Sequence, residues 1–406
     1  MDEIVITGIG IISACGIGKE AFWRSCLEGR TGMAPIQSFD TSAYRSHLGA
    51  EARNFKPKDF MPPLKYRRMS RVSRLAVAAS IEAWEDAALE ISSRSAPSMG
   101  VVIGTGYGST AQTDDFFVGM LKESPERANP SLFPDTVPNA PASQVSIYLG
   151  LQGPNTTLSH NEISGEQALA YAYRLLQENR AEVILAGSVD EFSAVLFHSL
   201  AALRVLSPQG ANEEGMRPFD RRRNGRVLGE GAGILVLEKR KRARERGAKR
   251  YGSLMACAST GGPVGISRYE AGGEQMARAM ARVLGKAGVS PSQVDYLCAA
   301  ANSTRDLDRA EALAIQKAFA KDTQSPAVSS VKGHIGDFCG SAGLRTAALL
   351  LAMRDGKIPP TLGLKDPEFP LDHILDQPRV RPIQYALLNG FSFGGGNVCL
   401  LFTNEG

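Results

Sequence analysis

Residues 158–172 read LSHNEISGEQALAYA: the end of an apolar strand, a sharp corner at Asn161 and Glu162, and the opening of an amphipathic helix. A strand handing over directly to a helix is the unit of an α/β protein, and the rest of the chain repeats it. EIVITGIGIIS (3–13), MGVVIGTG (99–106), AEVILAGSVD (181–190) and GAGILVLEKR (231–240) read as strands of a first half. YGSLMACAST (251–260), VDYLCAAAN (294–302), PAVSSVK (326–332) and YALLNGFSFGGGNVCLLFT (385–403) answer them in a second. Helical periodicity intervenes, as in SRVSRLAVAASIEAWEDAALE (70–90) and GEQMARAMARVLGKAG (273–288). This alternation predicts mainly parallel sheets covered by helices on both faces. The basic segment 239–250 marks the joint, dividing the chain into halves 1–245 and 246–406.

With 406 residues, 43% hydrophobic and 22% charged, the chain has ample material for a large core. A net charge of +4 is too mild for a nucleic-acid binder, although basic residues gather in KYRRMSRVSR (65–74) and KRKRARERGAKR (239–250), each read first as a solvated helix face. Six cysteines without a CxxC pair imply neither a metal site nor a disulfide framework. MDEIVITGIGIIS lacks the basic start of a signal peptide, and no run reaches transmembrane length, so a cytoplasmic protein away from membranes is expected. GEGAG (229–233) and GFSFGGGN (390–397) have no Lys-Ser/Thr following them; tight turns and close backbone approach explain them better than phosphate binding.

ITGIG near the start, GPN (153–155), VILAGSVDE (183–191), RPFDRRRNGRVLGEGAGILVLE (217–238), SVKGHIGDFCGSAG (330–343) and NGFSFGGGN (389–397) resemble, in order and along nearly the whole chain, the landmarks of the β-ketoacyl synthase family. The resemblance implies a thiolase-like fold of two duplicated α/β halves in five αβαβα layers, normally dimeric. The chain departs from the pattern at each catalytic position. The family's nucleophilic cysteine falls on Glu162, its first catalytic histidine on Ala300 and its second on Asp337. His160 and His334 lie off register and are not expected to replace them.

A carboxylate cannot store an acyl chain as a thioester; its adduct is a hydrolysis-prone anhydride. Decarboxylation of a malonyl thioester also wants two imidazole donors where negative charge develops. Ala300 donates nothing. An ionised Asp337 repels an enolate by about 4 kcal/mol at about 4 Å and an effective dielectric near 20. Lys332 is retained, but the glutamate that the family pairs with it is replaced by Thr346, beside Arg345. A buried lysine needs an anion, for which Glu162 or Asp337 can serve, and the reading adopted is a Glu162–Lys332 ion pair at the N-terminal end of the helix.

The resemblance further makes Phe393 a gating residue, with the N–H groups of Glu162 and Phe393 forming an oxyanion hollow. It leaves Asn302 and Thr304 as the remnant of a pantetheine grip, and matches Lys65, Arg68 and Arg204 to carrier-protein docking positions. Tyr107, Ser109, Gln112, Phe116 and Phe133 fall where acyl-tunnel residues lie, Phe133 at the dimer contact. Two functions follow, and a homodimeric binding protein for acyl chains stands beside them as a third. One is a non-catalytic chain-length factor of a type II polyketide synthase, paired with an active ketosynthase and served by acyl carrier protein, with phosphopantetheine only as the carrier's arm and no cofactor of its own. Known chain-length factors commonly carry glutamine at the nucleophile position, so glutamate is a departure. The other is an independent decarboxylase or altered ketosynthase acting on malonyl carrier protein, with Glu162 as a base.

Overall fold

The computed structural model describes residues 2–122, 124–210, 212–320 and 325–404. In the first half, β1 (Ile4–Ser13), β2 (Met99–Gly104), β3 (Asn155–Leu158), β4 (Val183–Asp190) and β5 (Gly231–Lys239) form a sheet in the order β1-β5-β4-β2-β3. In the second, β6 (Gly252–Gly261), β7 (Tyr296–Cys298), β8 (Ala327–Ser329), β9 (Tyr385–Phe391) and β10 (Gly396–Thr403) run β6-β10-β9-β7-β8. The second order is the first shifted by five strands, and the strand directions repeat too, so the duplication is written in the topology. The halves join where β1 pairs with β6.

The sheets are mixed rather than mainly parallel. β5 runs antiparallel to both β1 and β4, and β10 to both β6 and β9. The run 385–403 is a hairpin of two strands: Gly394 and Gly395 turn the chain at φ 77° and 81°, a conformation that favours glycine. Only a three-residue 3-10 turn, Phe393–Gly395, intervenes, and a parallel return needs a longer crossover.

Five layers follow. α1 (Arg71–Asp86), capped by the Ser70 hydroxyl, and α3 (Ala140–Leu149) cover the first sheet. α5 (Glu274–Ala287) and α6 (Arg305–Phe319) cover the second. Between the sheets lie α4 (Ser164–Gln177) and α7 (Ala342–Asp355), both touching strands of each half. α7 is buried almost all round, and its start lies against β5 so closely that a Cβ on Gly343 would stand 1.9 Å from the Gly233 carbonyl oxygen. GEGAG and CGSAG therefore supply glycine to both sides of one contact.

The basic segment 239–250 is largely neutralised within the chain: Lys239 pairs with Asp2, Arg240 with Glu3, Arg242 and Arg246 with Glu238, and Lys249 with Asp86. Among the described residues, no helix is long and apolar enough to cross a membrane.

Candidate functional site

β3 ends at Leu158, and the chain turns through His160–Ile163 into α4. Asn161 takes a left-handed φ of 53°, and the Ser164 hydroxyl ties the corner by donating to the Asn161 carbonyl at 2.6 Å and accepting from the His160 N–H at 2.9 Å. This geometry drives Glu162 inward, where it is 8% exposed.

Glu162 does not meet Lys332. It pairs with Arg226, whose Nη1 lies 3.0 Å from Glu162 Oε1 and 3.1 Å from Asp337 Oδ2, bridging the two carboxylates. Lys332 instead binds the other oxygen of Asp337 at 2.7 Å. The reason is geometric: Lys332 opens a short helical turn, Lys332–Ile335, and Asp337 follows two residues after its end, so the turn brings them together. The Tyr269 hydroxyl, 2.7 Å from both Glu162 oxygens, donates to that carboxylate, and the Phe393 N–H reaches Oε2 at 3.2 Å. The expected oxyanion hollow is thus occupied, on the Phe393 side, by the chain's own Glu162.

Two anions and two cations make a buried cluster with no net charge, the condition under which buried ions persist. Burial works against Asp337 ionising, but Lys332 and Arg226 outweigh it and hold the carboxyl down at about 2. Burial pushes Glu162 above the usual carboxylate range despite Arg226, and pushes Tyr269 up as well, with the Glu162 charge adding to it, so Tyr269 remains the proton donor of that pair. Asn302 donates to Asp337 at 2.9 Å while its amide oxygen accepts from the Thr304 N–H at 3.1 Å and hydroxyl at 2.6 Å. Ala300 is buried, its N–H bound by Glu311 at 3.0 Å. Neighbouring Glu166, within the corner motif itself, forms a second buried ion pair with Arg345 at 2.6 Å.

His334 is fully buried, its ring nitrogens 2.9 and 3.1 Å from the carbonyls of Arg30 and Pro360, and His160 is exposed; neither belongs to the cluster. On α2 (Thr110–Lys122) and the residues leading into it, the Ser109 hydroxyl donates to the Asp135 carbonyl and the Gln112 amide to the Leu132 carbonyl at 2.8 Å. Phe116 lies half-buried against Phe117 and Phe133, ring centroids 5.5 and 5.8 Å away. Tyr107 and Phe133 are exposed at 42% and 58%. Lys65, Arg68 and Arg204 are exposed.

Family models of the β-ketoacyl synthase N-terminal domain and C-terminal domain match residues 1–243 and 251–365. This chain belongs to the β-ketoacyl synthase family. It is 35% identical over 405 residues to "3-oxoacyl-[acyl-carrier-protein] synthase 2" of Synechocystis, covering 98% of this chain and 97% of that one. A protein of the same name from Coxiella burnetii is 33% identical over 406 residues, covering 99% and 98%. Among solved structures it is similar to "The ishigamide ketosynthase/chain length factor", TM-score 0.91, 26% identity and full coverage of both chains. A type II polyketide ketosynthase bound to its acyl-carrier protein and a hexaketide, AntDE:AntF, gives TM-score 0.91 at 25% identity, with 99% of each chain covered.

Arg226 and Tyr269 both touch Glu162, and neither stands out in the sequence as a site residue. Arg226 had a signal: two acids at catalytic positions against one retained lysine leave a charge to balance, and the RNGRVLGEGAG motif carries a basic side chain. Tyr269 sits in a glycine-rich loop with no periodicity to give it away.

Proposed function

We propose that this chain is a non-catalytic subunit that pairs with a cysteine-bearing ketosynthase and helps to set the length of the acyl or polyketide chain built there, as a chain-length factor. The observation that carries this reading is the Glu162–Arg226–Asp337–Lys332 cluster. Two of the three catalytic positions are occupied by acids whose oxygens are engaged by the chain's own cations and N–H and O–H donors. The third, Ala300, offers no side-chain donor. An enolate forming there would meet two buried carboxylates instead of imidazole N–H groups.

The similarity to a structure described as a ketosynthase/chain length factor supports the same reading. Acyl carrier protein is the expected visitor of the heterodimer, with Lys65, Arg68 and Arg204 as exposed cations for an acidic surface and phosphopantetheine as the carrier's own arm.

A second reading, an enzyme acting alone on malonyl carrier protein, is favoured by the relatives at 33–35% identity that are named as synthases. The isolated protein decides between them. Incubated with malonyl carrier protein it is expected to release no carbon dioxide and to carry no acyl adduct by mass spectrometry. Turnover or an adduct would establish the enzyme. Co-expression with a paralogue retaining the intact Cys, His and His is expected to yield a stable heterodimer.

A further inference from the structure

The segment GGPVGISRYEAGG (261–273) connects β6 to α5 and lies across the Phe393 turn as a strap. Backbone bonds fasten the two together: Gly394 N–H to the Arg268 carbonyl at 3.1 Å, and Gly262 N–H to the Gly395 carbonyl at 2.9 Å. The strap is largely exposed, with Ile266 at its tip 89% exposed, yet Tyr269 turns inward and is 8% exposed. The Tyr269 ring packs on Phe393 at 4.4 Å between centroids, and its hydroxyl ends on Glu162, which also receives the Phe393 N–H. Strap, turn and Glu162 are therefore closed on one another by a hydrogen-bonded and stacked loop.

The groups that would hold a pantetheine arm are spent in the same direction. Thr304 donates to the Asn302 amide oxygen, and the Asn302 amide nitrogen donates to Asp337. Arg226 fills the floor beneath, its guanidinium carbon 5.7 Å from the Phe393 ring centroid. We propose that Tyr269 is a latch: its hydrogen bond to Glu162 pins the strap over the site, an autoinhibitory contact that closes this chain's own centre to a carrier protein's pantetheine arm. The proposal rests on the ketosynthase-like reading of the site, and it makes Glu162 the receiver of a latch as well as a replaced nucleophile. In a heterodimer the arm is then delivered to the partner's centre alone.

The test uses the full chain. Hydrogen exchange by mass spectrometry, on peptides spanning 262–272 and 390–397, is compared among wild type, Tyr269→Phe and Tyr269→Ala, alongside binding of decanoyl-pantetheine by calorimetry. Tyr269→Phe keeps the ring against Phe393 and removes only the donor, so it serves if the alanine variant folds poorly. Exchange in both peptides is expected to rise about tenfold or more in Tyr269→Phe, as the loss of a hydrogen bond to a charged acceptor implies. The probe is expected to bind the variants and not the wild type. A wild-type strap that exchanges as fast as that of Tyr269→Phe overturns the latch, and so does a probe that binds all three proteins or none. Carbon dioxide release measured on the same samples keeps the two readings apart. Release by wild type refutes the non-catalytic reading, whereas a fast-exchanging strap without release refutes only the latch.

Discussion

The guanidinium of Arg226 meets the carboxylate of Glu162 at 3.0 Å across 64 positions of sequence, and the same nitrogen holds Asp337. Removing it leaves two buried acids facing each other with Lys332 as the nearest cation. Arg226→Ala is expected to cost about 3–5 kcal/mol, the range for breaking a buried pair from one side. The loss shows in urea or thermal unfolding at neutral pH. A change below about 1 kcal/mol would mean that solvent already screens the cluster.

Glu162 separates the effect of charge from that of shape. Glutamine keeps one oxygen, enough for Arg226 and Tyr269 but not also for the Phe393 N–H on the other side of the carboxylate, whereas alanine leaves all three donors empty in a buried space. Because burial raises the Glu162 pKa, its ionisation opposes folding, so losing the charge costs little. Glu162→Ala should therefore be destabilising by about 2–4 kcal/mol and Glu162→Gln by much less. Equal losses for the two variants would show that the negative charge itself holds the corner.

The two acids respond to pH with opposite signs. Asp337 is held at about 2 in the folded chain, below its ordinary value of 3.8, so it contributes stability that is present above the ordinary value and lost as pH falls toward 2. Glu162, raised, contributes stability at low pH that is lost as pH rises through its folded value. The stability gap between wild type and Asp337→Asn should accordingly narrow from about pH 4 down to about pH 2, measured by unfolding at stepped pH. A gap that stays constant over that window would remove Asp337 as the titrating partner of Lys332 and Arg226.

The alternation of strands and helices, the corner at Glu162 and the glycine contacts were legible in the sequence because each is a local signal: periodicity, a strand-to-helix step, a turn that needs positive φ. The antiparallel pairings of β5 and β10 were not, since strand direction depends on how a connection returns. The ion pairing went the same way. Lys332 and Glu162 are legible as buried charges, but the choice of partner turns on a five-residue step that brings Lys332 to Asp337 and on an arginine 64 positions from Glu162. Glu166 and Arg345 show the limit from the other side: both stand in plain view within recognised motifs, and only the packing of α4 against α7 makes them a pair.

The proposed role in chain length makes a prediction at α2. Phe116 is half-buried and rests on Phe133, while Gln112, one helical turn earlier, ties the same segment through the Leu132 carbonyl. Replacing Phe116 by alanine removes a ring and leaves Phe133 unsupported, which opens space on this face. Replacing Gln112 by tryptophan breaks the tie and adds bulk at the same level. Co-expressed with an intact ketosynthase paralogue, Phe116→Ala is expected to shift the product distribution toward longer chains and Gln112→Trp toward shorter ones, read by mass spectrometry of the extracted products. Heterodimer yield, measured in parallel, keeps failed assembly from being mistaken for shortened chains. If both variants assemble and the distribution does not move, this helix does not gauge the growing chain, and the length-setting part of the proposal falls while the non-catalytic part stands.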